Sequence, residues 1–201
     1  MDIFKYGQKE MDYLRKKDKR LAEAIDRIGF IERRIIPDLF ACLVNSIIGQ
    51  QISIKAADTI WKRLQEIAGE ITVESILALS PEELKACGIT MRKVFYIRDA
   101  AEKIRDGRFD IGALYDLPDD EVCKRLASLN GVGAWTAEML MINSMQRPDI
   151  VSWNDLGIRR GMMMLYHHKK LDRAMFEKYR RRYSPYGSVA SFYLWKVAVG
   201  Y

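Results

Sequence analysis

Apolar positions recur along this chain at helical spacing, three or four residues apart. Residues 9–29 set Met11, Leu14, Leu21, Ile25 and Ile28 among lysines and arginines, which predicts one charged amphipathic helix packing on a single face. Pro37 and Asp38 then open a strongly apolar helix over 39–48, the expected central core element, with Gly49 as its stop. Ser53 can cap the next helix, which carries Ala56, Ala57, Ile60, Trp61 and Leu64 on to Ile67 and ends at Gly69; Trp61 is assigned to the core. Thr72 and the run Ser80-Pro81-Glu82-Glu83 are two further start signals, for short helices over 73–79 and 82–86.

A long helix is expected from Thr90 to about Ile104, then a polar loop over 106–112. Asp119 and Asp120 open a helix over 121–128, and a second, apolar one runs through Met139, Leu140, Met141 and Ile142. Past the break at 146–149, a helix through Arg159, Met162 and Met163 reaches Tyr166; helices over 171–183 and 186–199 complete the series. The only strand candidate, 149–152, is too short to stand. The fold class is therefore all-α, with about ten helices and no internal repeat.

Between two of these helices stands Asn130-Gly131-Val132-Gly133. Glycine tolerates the left-handed dihedrals a tight hairpin demands and lets another backbone come close. The second helix then begins with exposed amides and a positive dipole end, a place for a phosphate. Glycine is also common where helices simply connect, so the hairpin alone leaves both readings open.

Composition narrows the choice. Thirty-three Lys and Arg against 27 Asp and Glu give a net charge of +6, which suits a polyanionic partner without proving one. With 49% hydrophobic residues in 201, the chain can bury a substantial core. No apolar run approaches a membrane span and the start lacks a secretory pattern, so a soluble, intracellular protein is expected, cytoplasmic or nucleoid-associated. Cys42, Cys87 and Cys123 are scattered in helical, apolar contexts and read as buried, reduced thiols. His167 and His168 are the only histidines, near a helix end, which argues against a histidine metal site.

Three segments in order carry a family resemblance. LVNSIIGQQIS (43–53), LNGVGAWTAEM (129–139) and WNDLGIRR (153–160) together resemble the helix-hairpin-helix DNA glycosylase superfamily, and within it the branch typified by 3-methyladenine DNA glycosylase II. GITMRK (88–93) is similar to a segment of alkylbase glycosylases, although a glycine C-cap followed by a threonine N-cap explains it equally well. The resemblance covers roughly 36–200. It implies two interlocked helical subdomains with an active-site cleft between them, as one domain over 1–201 whose helix-hairpin-helix occupies about 120–145. The N-terminal sheet domain of larger relatives, and the four-cysteine iron–sulfur loop of endonuclease III relatives, are expected to be absent.

The same resemblance implies the chemistry. Asp155 falls on the family's catalytic aspartate, where an ionised carboxylate stabilises positive charge developing on the sugar; the local sequence by itself favours a helix N-cap, unless Asn154 takes that task. Trp135 and Trp195 fall on pocket aromatics whose faces would attract a cationic purine. Met139 and Trp153 are further pocket candidates, with core packing as the alternative for each tryptophan. Lyase members carry a lysine where Trp135 stands, so a monofunctional enzyme that leaves an abasic site is expected. Gln50, Gln51 and Ile52 form the corner that would enter the gap left by the flipped nucleotide, and the amides of Gly131, Val132 and Gly133, with that of Trp135, would hold a phosphate. Hairpin carbonyls of Ala127, Leu129 and Val132 are the implied ligands of a monovalent cation, Na+ or K+, with no other cofactor required.

Asn130 replaces a common proline, Met139 a frequent aromatic and Gly187 a frequent arginine. The expected function is excision of alkylated purines from duplex DNA by base flipping, in base excision repair, by a monomer with no membrane partner. Two alternatives stay open: a glycosylase for 8-oxoguanine or hypoxanthine, and a non-catalytic helix-hairpin-helix DNA-binding module. The last leaves Asp155 and the Gln50–Gln51 corner unexplained.

Overall fold

The computed structural model describes residues 2–201. Among them are twelve α-helices, one 3-10 turn at Gly112–Asp116 that falls just after the polar loop, and no strand beyond a single antiparallel bridge between Ile3 and Arg34. The chain divides into two compact units, one built from Met1–Ile35 with Met141–Tyr201 and the other from Ile36–Leu140.

In the first unit, the expected single helix over 9–29 is two: α1 (Gln8–Lys17) and α2 (Lys19–Ile28). Asp18 breaks it. Its backbone is extended, and its Oδ1 accepts the amides of Arg20 and Leu21 at 3.1 and 3.0 Å, an N-cap for α2. Oδ2 accepts the Tyr166 hydroxyl at 2.7 Å and Nη1 of Arg182 at 2.9 Å, so this carboxylate is buried but fully engaged. Burial raises the Tyr166 and Tyr183 hydroxyls above their ordinary range, which keeps both as neutral partners in this network.

α10 (Leu156–Tyr166), α11 (Arg173–Tyr183) and α12 (Gly187–Val199) complete this unit. α12 is buried along most of its length and packs closely on α10. Gly161 permits the approach: a Cβ there would lie 2.1 Å from the Leu194 carbonyl oxygen. Gly187 is equally constrained, since a Cβ would stand 2.7 Å from both Asp149 Oδ1 and Val151 Cγ2. No side chain fits at Gly187 in this packing, which is a physical reason for glycine where arginine is frequent.

In the second unit, α3 (Leu39–Gly49) is the apolar core helix, capped by Asp38 whose side chain accepts the Ala41 amide at 2.7 Å. Ser53, Thr72 and Ser80 cap α4 (Ile54–Ala68), α5 (Val73–Ala78) and α6 (Pro81–Ala86). Thr90 is the N-cap residue of α7 (Met91–Arg105), as expected, but its side chain makes no cap bond. α4 turns mostly outward: Leu64 is its one buried residue, and Trp61 is only half-buried rather than a core residue. Cys42 and Cys87 are buried, whereas Cys123 is half-buried. α8 (Asp119–Ala127) and α9 (Ala134–Asn143) form the helix-hairpin-helix.

Candidate active site and nucleic-acid interface

Asp155 is held by an irregular segment, with turns at 148–149 and 153–154, that is hydrogen-bonded onto α12. Ser188 Oγ donates to the Arg147 carbonyl and accepts the Ile150 amide at 3.0 Å. Ser191 Oγ donates to the Ile150 carbonyl at 3.0 Å, and the Gly187 amide donates to Asp149 Oδ1 at the same distance. These buried serines satisfy the backbone of a segment that has no sheet partner. The segment delivers Asp155 to the start of α10.

There the two local readings of Asp155 merge. Its Oδ1 accepts the Ile158 amide at 2.8 Å, so Asp155 is itself the N-cap, and Asn154, which is exposed, is not. The same oxygen accepts Nε1–H of Trp195 at 3.0 Å. Asp155 is 7% exposed, so its charge acts in a medium less screening than water. Gly157 belongs to the arrangement: a Cβ there would be 2.9 Å from Trp195 Cδ1 and 3.1 Å from Asp155 Oδ1.

Arg33 is a participant that sequence reasoning missed. Its guanidinium sits 4.9 Å from the Trp195 ring centre, while Nε and Nη2 donate to Asn143 Oδ1 at 3.2 and 2.9 Å. The Trp195 indole thus has a carboxylate at its edge and a cation on one face. No pattern in the sequence marks Arg33, because its partners are more than a hundred residues away. Trp153 is engaged elsewhere: its ring meets Phe176 edge-on at 5.1 Å, with Arg159 and Arg173 guanidiniums at 5.1 and 5.2 Å.

The hairpin and the corner lie in the second unit. Gly131 has φ +80°, and a Cβ there would be 2.2 Å from Cδ2 of Tyr96. Gly133 has no such constraint, so the left-handed glycine of this turn is the first of the pair. The Val132 amide donates to the Leu129 carbonyl at 3.1 Å, which removes it from the expected phosphate donors; Gly131, Gly133 and Trp135 are the others of that set. Asn130 Nδ2 donates to Asp99 Oδ2 at 2.9 Å, a tie to α7 that a proline could not make. Trp135 is 44% exposed at the start of α9, and Met139 is buried one turn on.

At the corner, Gln50 does not project freely: Nε2 donates to the Gly131 carbonyl at 2.8 Å. Gln51 takes φ +58° and is exposed, as is Ile52 beside it. Lys93 Nζ donates to the carbonyls of Ile48 and Gln50 at 2.8 and 2.7 Å. The lysine of GITMRK therefore has a definite task, which neither helix cap in that segment explains. Burial holds its pKa below the ordinary lysine value.

A helix-hairpin-helix followed by an aspartate at a helix start is the signature of a repair fold, and comparison with known proteins agrees. The chain belongs to the HhH-GPD superfamily of base excision DNA repair proteins, whose family model matches residues 44–185. It is 32% identical over 161 residues to DNA-3-methyladenine glycosylase 1 of Schizosaccharomyces pombe, covering 78% of this chain and 71% of that one. Among solved structures it superposes on a DNA-3-methyladenine glycosidase from Bacillus halodurans with a TM-score of 0.86 and 34% identity, covering 98% of this chain and 93% of that one. It also matches a Schizosaccharomyces pombe 3-methyladenine DNA glycosylase in complex with abasic DNA, with a TM-score of 0.78, 28% identity and coverages of 94% and 96%. No helix of the described residues is long and apolar enough to cross a membrane.

Proposed function

We propose that this protein is a monofunctional DNA glycosylase that flips alkylated purines such as 3-methyladenine out of duplex DNA, cleaves the N-glycosidic bond and leaves an abasic site. The observation that carries this reading is the buried Asp155 at the start of α10, held by the Ile158 amide and the Trp195 indole N–H. Departure of the base leaves positive charge on the sugar, and a preorganised carboxylate stabilises that charge without reorganising during the reaction. The carboxylate of Asp155 is assigned to the sugar or to an attacking water. Trp195 is a positioning residue for Asp155 as well as a pocket aromatic. Trp135 and Met139 are the pocket groups assigned on the hairpin side, and Trp153 is demoted to a supporting aromatic.

Gln51 and Ile52 are the groups assigned to enter the duplex, and the amides of Gly131 and Gly133 to hold its phosphate backbone. The implied monovalent cation fits the donor chemistry of the hairpin: the carbonyls of Ala127, Leu129 and Val132 are hard oxygen donors. The Leu129 carbonyl accepts one hydrogen bond and keeps a second lone pair. When bound, such an ion would neutralise charge at the hairpin and help it meet a phosphate. The protein is assigned to the compartment holding DNA, as a monomer.

Two results test the reading. Trp135 stands where a lyase has its lysine, so no amine is available at that position to attack the sugar. Borohydride is therefore expected to trap no covalent adduct during turnover, and an efficiently trapped adduct would overturn the monofunctional assignment. In a panel of duplexes carrying 3-methyladenine, 7-methylguanine, hypoxanthine or 8-oxoguanine, the alkylated purines should be released fastest. Preferential release of 8-oxoguanine would favour the oxidised-base alternative instead.

A further inference from the structure

The corner at residues 50–52 and the hairpin are joined by contacts that their proposed roles do not require. α3 ends at Gly49, and its last carbonyls lack intrahelical partners. Lys93, from the first turn of α7, supplies them: its ammonium spans the Ile48 and Gln50 carbonyls, at the negative end of the α3 dipole. The next residue, Gln51, can then sit at φ +58°, a conformation a residue with a side chain seldom holds unaided.

Further along α7, Tyr96 packs on Gly131 so closely that only glycine fits there. Gln50 closes the loop by donating to the Gly131 carbonyl. An open hollow of about 310 Å³ lies here, its lining including Gln51, Ile52, Arg92, Lys93, Tyr96 and Gly131. One helix thus fastens the corner through Lys93 and braces the hairpin through Tyr96, and Gln50 links the two directly.

We infer that Lys93 is a positioning residue that locks the Gln51–Ile52 corner to the hairpin, so that phosphate capture and entry of the corner into the duplex occur as one rigid event. The inference rests on the proposed roles of the corner and the hairpin. It makes Lys93 important for extruding a base and unimportant for holding DNA. Extrusion costs least when the lesion pair is already weak, and that difference separates a positioning role from a general loss of structure.

The test is single-turnover release of 7-methylguanine by parent and Lys93→Met protein from two duplexes, one with cytosine opposite the lesion and one with a stable abasic analogue opposite it. Lys93→Met should lose about tenfold or more on the paired lesion, less than about threefold on the weakened one, and keep its affinity for undamaged duplex within about twofold. Lys93→Arg, which retains a cation at the helix end, should restore most of the rate. Equal losses on both duplexes, or none on either, would overturn the inference. If Lys93→Met does not fold, Gln50→Leu cuts the tie to Gly131 alone and should show the same dependence on pairing; its absence would count equally against the inference. Failure of the parent protein to release base from either duplex would instead refute the glycosylase reading, in which case undamaged-duplex affinity and the fluorescence of a 2-aminopurine beside the lesion still report on the corner.

Discussion

Replacing Asp155 by Asn should abolish base release, with a loss of about a thousandfold in single-turnover rate, the scale on which preorganised electrostatic groups act. The substitution is informative because it removes the charge and keeps the cap. Asparagine is as good an N-cap as aspartate. Its side-chain oxygen can still accept the Ile158 amide and the Trp195 indole N–H that Oδ1 accepts now. What disappears is the negative charge, so the melting temperature should stay close to that of the parent. Affinity for lesion-containing duplex should be unchanged or higher, since the charge acts mainly when the sugar becomes positive. A twofold change in rate would mean that Asp155 is only a cap.

The second large effect is expected at Gly131. Gly131→Ala must hold a side chain at φ +80° with its Cβ 2.2 Å from the Tyr96 ring. Strain and overpacking together should cost about 2–4 kcal/mol in stability, read as a lowered urea midpoint. Because the turn must shift, the amides facing the phosphate move with it. Affinity for damaged and undamaged duplex should fall alike by about tenfold, or about 1.4 kcal/mol, since phosphate contacts carry no information about the base.

Gly133→Ala separates the two causes. No atom lies within 4 Å of a Cβ built there, so the protein should tolerate the methyl group and melt like the parent. Any affinity lost at Gly133 then reports on the approach of DNA alone. Parental binding by a folded Gly131→Ala protein would reduce the hairpin to a connection between helices.

What the sequence showed and what it hid follow from the range of the interactions involved. The caps at Asp38, Ser53, Thr72 and Ser80 were legible because each bond spans three residues. The break at Asp18 was not, since its other partners, Tyr166 and Arg182, lie 148 and 164 residues away. A charged residue inside a charged helical pattern gives no local sign of burial. Asp155 was found by its motif, yet the assignment of Asn154 as an alternative cap could be resolved only by geometry.

The hairpin was legible as two glycines, but not which one is left-handed, because that depends on where Tyr96 packs. Lys93 stands inside the segment GITMRK, where a glycine C-cap and a threonine N-cap give no local sign of its task, and its partners at the end of α3 appear only in three dimensions. Arg33 had no local signal at all. The cation it places over Trp195 also modifies the simple expectation that a cationic purine meets a bare indole face.

The central claim is base excision without strand cleavage, and its most direct test is product analysis on one defined substrate. An end-labelled duplex with a single 7-methylguanine is incubated with the protein; released bases are identified by mass, and the strand is examined before and after alkali. The account predicts free 7-methylguanine in amounts equal to the alkali-labile sites, with the untreated strand intact. No free base, or a strand already broken without alkali, would contradict it.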